Sequence, residues 1–202
     1  MLMINSGYNA SNIQSVITII KNGGIIIFPT DTIYGIGCDP YNQNAVEQIY
    51  KLKRRDRNKL FPILAYSYKY ISKIANVNNI EKKLIQKLFP GPITILLKIK
   101  DKKLKKSLKL KDKIAVRIPN NKCALTLLKE CKLLVGTSAN ISGINLTTNI
   151  IKCKKNFPNY DYFISDNTRM IGVESTIIEI INKDIIIRRK GVIKKKDIEK
   201  II

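Results

Sequence analysis

The chain has 202 residues, 45% of them apolar, and carries four cysteines, no tryptophan and no histidine. Its length suits a single unit spanning residues 1–202 with a full core, and no apolar run approaches the ~18 residues that cross a bilayer. The lack of histidine excludes Ser/His and Cys/His nucleophile pairs and, with no C-x-x-C spacing, argues against a zinc site, while the net charge of +22 points to an anionic ligand.

In chain order, residues 11–22 read as a helix. Ser11 or Asn12 caps it, Ile13, Val16, Ile17 and Ile20 share a face, and Gly23-Gly24 stop it. Residues 25–29 form a buried strand, and 42–54 a second helix with Ala45, Val46, Ile49 and Leu52 inward and Lys53 at its end. A strand at 61–66, short helices at 68–75 and 79–89, and a strand at 93–99 follow, with Pro90-Gly91-Pro92 as the break. The lysine-rich segment 100–113 reads as a loop held out in solvent. Residues 114–118 are a short strand, Asn120 or Asn121 caps a helix running to Cys131, and 133–136 lead into a second loop. A helix at 149–155, a strand at 162–165, a hairpin of 175–181 with 185–189, and a helix at 194–201 complete the pattern. Alternating strands and helices with a late hairpin predict an α/β fold, a twisted mixed sheet with helices on its faces. Residues 1–12 lack the charged start and cleavage site of a signal peptide, so a cytoplasmic protein is expected. Cys38 reads as a small buried apolar residue.

Chemistry-bearing residues cluster at strand ends, where open α/β folds hold ligands. Pro29-Thr30-Asp31-Thr32-Ile33-Tyr34-Gly35-Ile36-Gly37 follows the first strand, and Gly136-Thr137-Ser138-Ala139-Asn140-Ile141-Ser142-Gly143 follows a later one. Gly172-Val173-Glu174-Ser175-Thr176 makes a third such element, and Lys53, Arg55 and Lys59 lie between the first two. Together these supply hydroxyls (Thr30, Thr32, Thr137, Ser138, Ser175, Thr176), an amide (Asn140) and cations (Lys53, Arg55, Arg117, Arg189). Guanidiniums fork onto carboxylate or phosphate while hydroxyls and N–H groups fill the gaps, which suits a triphosphate beside a small carboxylate-bearing molecule. The two common phosphate-loop patterns, G-x-x-x-x-G-K-[ST] and G-x-G-x-x-G, are absent. Each part also has a plain structural reading: Asp31 as a turn cap, Lys53 and Arg55 complementing a helix dipole, Ser138 and Asn140 as helix caps. The charge likewise has a compositional reading, since lysine supplies 30 of the 37 basic residues, whereas the seven arginines carry the bidentate chemistry.

The ordered set Pro-Thr-Asp-Thr-x-Tyr-Gly-x-Gly, Lys53-x-Arg55, Pro90-Gly91-Pro92-x-Thr94, Val116-Arg117-Ile118-Pro119, Thr137-Ser138-Ala139-Asn140-x-Ser142-Gly143, Ser175-Thr176-Ile177 and Arg189-x-Gly191 resembles the YrdC/TsaC family, the threonylcarbamoyl-AMP synthases. The likeness runs from about Gly23 to Gly191 and is that of the short, single-domain form. It implies a YrdC-like twisted open sheet with a deep basic cleft. It also implies a reaction in which L-threonine, bicarbonate or CO2 and ATP give L-threonylcarbamoyl-AMP and pyrophosphate. A separate transferase complex then uses the product to modify the adenosine beside the anticodon of certain tRNAs. By the same likeness Lys53, Arg55, Ser138 and Asn140 are the catalytic, ATP-binding group. Thr32, Arg117 and Ser175 hold the threonine or its carbamate, and Lys59, Thr148 and Arg189 help with the nucleotide. Mg²⁺ is expected on the triphosphate. Two positions depart from the family pattern: Asp56 stands where proline is common, and Lys113 where a hydroxyl residue is frequent. With no histidine, catalysis by positioning and charge stabilisation is the expected route. A basic cleft that holds structured RNA without chemistry, and a relative acting on another amino acid, are the competing readings.

Overall fold

The computed structural model describes residues 10–142, 148, 157, 159–165 and 169–201. Helix α1, Ala10–Lys21, turns Ile13, Val16, Ile17 and Ile20 inward. Gly23, at φ +84°, closes its last turn, with Gly23 N–H on Ile20 O at 3.0 Å and Gly24 N–H on Ile19 O at 2.9 Å. Strand β1, Ile26–Phe28, is buried on both faces because alternate side chains enter different cores. Ile27 joins the main cluster, while Ile26 and Phe28 join a second one with α1 and helix α6, Lys122–Cys131. Two-sided burial explains why the sequence here is an unbroken apolar run rather than an alternation.

Residues 29–34 arch over and return as strand β2, Gly35–Gly37, antiparallel to β1 with Ile26 opposite Gly37. Sequence reading places 30–37 in the loop after the first strand, since a three-residue strand with two glycines carries no pattern. The glycine at 37 is demanded by packing: a Cβ there would run into the Val135 carbonyl. Helix α2, Gln43–Lys53, starts where the Asn42 side chain accepts the Ala45 N–H at 3.0 Å. It ends at Arg54, whose left-handed φ of 48° turns the chain sharply toward Arg55. Then come β3 (Ile63–Ala65), α3 (Tyr68–Ile74), β4 (Ala75–Asn76), α4 (Asn79–Leu88) and β5 (Ile93–Ile99). They are followed by α5 (Lys102–Ser107), β6 (Lys113–Arg117), α6, β7 (Leu133–Val135), β8 (Thr137–Ser138), β9 (Tyr162–Phe163), β10 (Thr176–Ile181), β11 (Asp184–Arg189) and a last helix, α7 (Lys195–Glu199). The expected helix at 149–155 lies outside the described residues.

Among the described residues the strands form two open mixed sheets. The smaller has the order β8-β2-β1-β9, and the larger β11-β10-β5-β6-β3-β7 with β4 on β5. The chain steps from the larger to the smaller at Gly136, between β7 and β8, where a Cβ would strike Leu64. Both sheets therefore converge at the residue that opens the second sequence motif. No helix among the described residues is long and apolar enough to cross a membrane.

The segment 100–113 is not the solvated loop the lysines suggest. Asp101 caps α5 by accepting the Leu104 N–H at 2.9 Å, and Leu104, Leu108 and Leu110 are buried. Ser107 Oγ donates to Pro40 O at 2.7 Å, tying the turn to the body. Three leucines spaced among lysines carry the packing, and the lysines cover the outside. Leu104→Ala should therefore cost about 2–5 kcal/mol in urea unfolding, as for a buried leucine; a change near zero would return the segment to solvent.

Candidate active site

A cavity of about 430 Å³ opens between the two sheets. The arch after β1 gives one wall, through Thr30, Thr32 and Tyr34, and Thr137 and Ser138 of β8 extend it. The larger sheet gives the floor, through Thr94 and Leu96 of β5, Ala115 and Arg117 of β6, and Ser175 and Ile177 at and in β10. Arg55, Asn58, Lys59 and Leu60, just past α2, close one side, and Glu174, Arg188 and Arg189 another.

Two distant corners are held together by one side chain. Lys53, almost wholly buried at the end of α2, donates through Nζ to the carbonyl of Ser138 and, at 2.6 Å, to that of Asn140. The Ser142 N–H returns a bond to Lys53 O at 3.0 Å. Lys53 thus sits beneath the loop, and neither it nor Asn140 is in the cavity lining; Thr148 lies beside Gly172, also outside the lining. The other expected residues, Thr32, Arg55, Lys59, Arg117, Ser138, Ser175 and Arg189, line one cavity. Burial, with the Arg55 charge behind it, pushes the Lys53 ammonium down to about 7, against a weaker pull upward from Glu174.

Arg55 is held edge-on, Nε to Lys59 O and an Nη to Leu60 O, both at 3.1 Å, with its guanidinium 5.3 Å from the Phe61 ring. Arg117 spends three N–H groups on the protein: on Gly91 O at 3.0 Å, Thr32 Oγ1 at 3.1 Å and Asp31 Oδ1 at 2.5 Å. A guanidinium has five, which leaves two for a ligand. Burial lowers the Arg117 pKa and the Asp31 carboxylate works against that. Ser175 Oγ shares a 2.8 Å bond with Thr94 Oγ1 and takes one from Arg189 at 3.0 Å. Arg189 also pairs with Glu174 at 2.8 Å.

Sequence reasoning missed two charged residues of the lining. Glu174 sits inside a named motif, and its signal was that an acid falls amid hydroxyls and cations. Arg188 had no signal, because strand alternation sends residues 188 and 189 to opposite faces. In the structure β11 slips register: Ile177 faces Arg189 while Ile178 faces Ile187, so Arg188 is a bulged extra residue and both arginines reach the cavity. Thr176, grouped with the ligand hydroxyls from sequence, instead bonds the Ile193 carbonyl and N–H at 2.8 and 2.9 Å. The departures are also placed. Asp56 caps a turn by accepting the Asn58 N–H at 2.9 Å, outside the lining, and Lys113 pairs with Glu179.

The chain is 32% identical, over 85% of its length and 95% of the relative's, to a threonylcarbamoyl-AMP synthase of Pseudoalteromonas translucida. It is 39% identical, over 86% of its length and 83% of the relative's, to a Methanocaldococcus jannaschii protein named, provisionally, for the same activity. The structure of Pyrococcus abyssi Sua5 complexed with L-threonine superposes with a TM-score of 0.90 at 27% identity, covering 98% of this chain and 59% of that one. This chain thus spans less than two thirds of the Pyrococcus protein's length. The family described as Telomere recombination, Sua5/YciO/YrdC, matches residues 18–191. The chain belongs to that Sua5/YciO/YrdC family.

Proposed function

We propose that this chain makes L-threonylcarbamoyl-AMP and pyrophosphate from L-threonine, bicarbonate or CO2, and ATP. The observation that carries the reading is the Lys53 tie, which brings Arg55 and Ser138 to the same cavity as Thr32, Arg117 and Ser175. The neutral threonine amine nitrogen attacks the carbon of CO2 and gives up a proton, or attacks that of bicarbonate with a C–O bond breaking and water leaving, and either route gives the carbamate. An oxygen of the carbamate so formed attacks the α-phosphorus, and the bond to the β-phosphate oxygen breaks. Arg55 and Lys59 neutralise the phosphates as charge moves to the departing pyrophosphate. The two spare Arg117 N–H groups take the threonine carboxylate, with Thr32 and Ser175 hydroxyls beside it. No histidine is needed, because the work is orientation and charge stabilisation.

Among the described residues no group of three Asp, Glu, His or Cys side chains is placed to hold a metal. Glu174, the carboxylate in the lining, is already bonded to Arg189. These residues do not fit a resident metal ion, so Mg²⁺ in this reading arrives on the phosphate oxygens of ATP as part of the substrate. The product goes on to a separate transferase that modifies tRNA in the cytoplasm. The RNA-binding alternative has no comparable support, since the relatives named above are synthases.

Arg55→Ala should leave the fold intact, as the side chain is half-buried and bonds only carbonyls, and lower threonine-dependent pyrophosphate release by ~10²–10³. Retained activity would remove Arg55 from the site, and offering each amino acid in turn with labelled bicarbonate tests the substrate.

Lys53 gives a second test. Its folded pKa of about 7 lies below the ordinary 10.5. Between those values the folded protein holds fewer protons than the unfolded chain, so this residue penalises folding below the window and ceases to as pH rises through it. Wild type should therefore gain stability relative to Lys53→Met as pH climbs from about 7 to 10.5, measured by urea midpoints. Parallel pH dependences would mean that Lys53 titrates as a solvated amine.

A further inference from the structure

We propose that Arg188 is the releasable anion hook of this cavity, exchanging Glu179 for phosphoryl oxygens of bound nucleotide or departing pyrophosphate. The choice of ligand rests on the adenylate-forming reading above; the release itself rests on the geometry of three ion pairs.

Three arginines that line the cavity are each bonded to a carboxylate: Arg117 to Asp31 at 2.5 Å, Arg189 to Glu174 at 2.8 Å and Arg188 to Glu179 at 2.6 Å. Asp31 and Glu179 are both buried. Pulling an arginine away from a buried carboxylate leaves an uncompensated charge, which is expensive. Asp31 has no second cation among the described ion pairs, so Arg117 is committed to it. Glu179 does have one, since Lys113 of β6 binds its other oxygen while Arg188 reaches Oε2 through both Nε (2.7 Å) and an Nη (2.6 Å). When Arg188 leaves, Lys113 still balances the carboxylate. Arg188 is thus the one of the pair Arg117 and Arg188 that a ligand can recruit at low cost.

Other features favour the exchange. The side chain of Arg188 is 45% exposed and that of Glu179 6%, so the arginine is the partner able to move. The bulge at Arg188 takes its backbone out of the β10–β11 ladder and turns its side chain to the same cavity as Arg189. The planar guanidinium, which here places two nitrogens on the one oxygen Glu179 Oε2, has the fork geometry that takes two phosphoryl oxygens.

Calorimetric titration of the whole chain with inorganic pyrophosphate, without ATP or threonine, tests this without turnover and so separately from the synthase assay. Arg188→Gln should weaken pyrophosphate binding about tenfold, the value of one charge-assisted bond, and Arg188→Lys should recover part of it. Glu179→Gln removes the competitor and should bind at least as tightly as wild type, an opposite direction that a merely structural pair would not produce. No binding to wild type, equal binding by wild type and Arg188→Gln, or a loss in Glu179→Gln matching that in Arg188→Gln would each overturn the proposal. In turnover, Arg188→Gln should raise the KM for ATP and the inhibition constant of pyrophosphate while leaving the KM for threonine alone, which separates the hook from Arg117.

Discussion

The site depends on one buried amine. Lys53 ends α2, and its Nζ reaches the carbonyls of Ser138 and Asn140 some eighty-five residues further along the chain. Without that tie the cation-bearing turn after α2 and the hydroxyl-bearing loop after β7 would be two unrelated surface features. Burial brings its pKa down to about 7, so this ammonium gives up its charge far more readily than a solvated lysine. A neutral amine carries two N–H donors, and there are two carbonyls to receive them, so the tie survives loss of the charge. Burial thereby fixes the geometry of the loop without requiring a permanent cation under it.

Glycine does for the backbones what Lys53 does for the side chains. The cavity needs two sheets to meet closely, and they meet where no Cβ stands in the way. Gly37 faces the Val135 carbonyl and Gly136 faces Leu64. With these approaches made, Tyr34 accepts the Ala139 N–H at 2.8 Å, the Gly136 N–H reaches Pro62 O at 2.9 Å, and the arch and the loop are held as facing walls. A glycine motif that sequence reading takes for ligand contact is here first a packing requirement, and the ligand space is what that packing leaves open.

Much of this was legible in the residues because it is local. The helix cap at Asn121, one of two candidates in the sequence, follows from one side chain and one N–H, and buried strands follow from continuous apolar runs. The motifs were legible as motifs, and most of their polar members line one cavity. What escaped depends on non-local partners. The β2 strand exists only because β1 and β8 pair with it, and α5 is fixed by three leucines that a lysine-rich composition obscures. Arg188 enters the cavity through a register slip that strand alternation forbids. That Lys53 works from below, on carbonyls rather than on phosphate, could not be read from a spacing at all.

The charges of the cavity are divided between its sides, and that division bears on how substrates orient. On the larger sheet, Arg117, Arg188 and Arg189 are each matched by a carboxylate, so that side offers both signs together. Across from it, Arg55 bonds backbone carbonyls and neither it nor Lys59 has a carboxylate partner among the described ion pairs. A zwitterionic amino acid is best served where donors and carboxylates alternate, and a polyphosphate where cations stand uncompensated. In the reaction proposed above the triphosphate then lies beside Arg55, Lys59 and Ser138 with the threonine at Arg117 and Ser175, and the proposed Arg188 hook reaches the phosphoryl oxygens from the larger sheet only by giving up Glu179. Arg189 lies between, close enough for its charge to lower the pKa of both Arg55 and Arg117 after burial has done so. An anion placed between Arg189 and either of the other two guanidiniums is attracted by both, which favours a charged ligand at that point of the cavity.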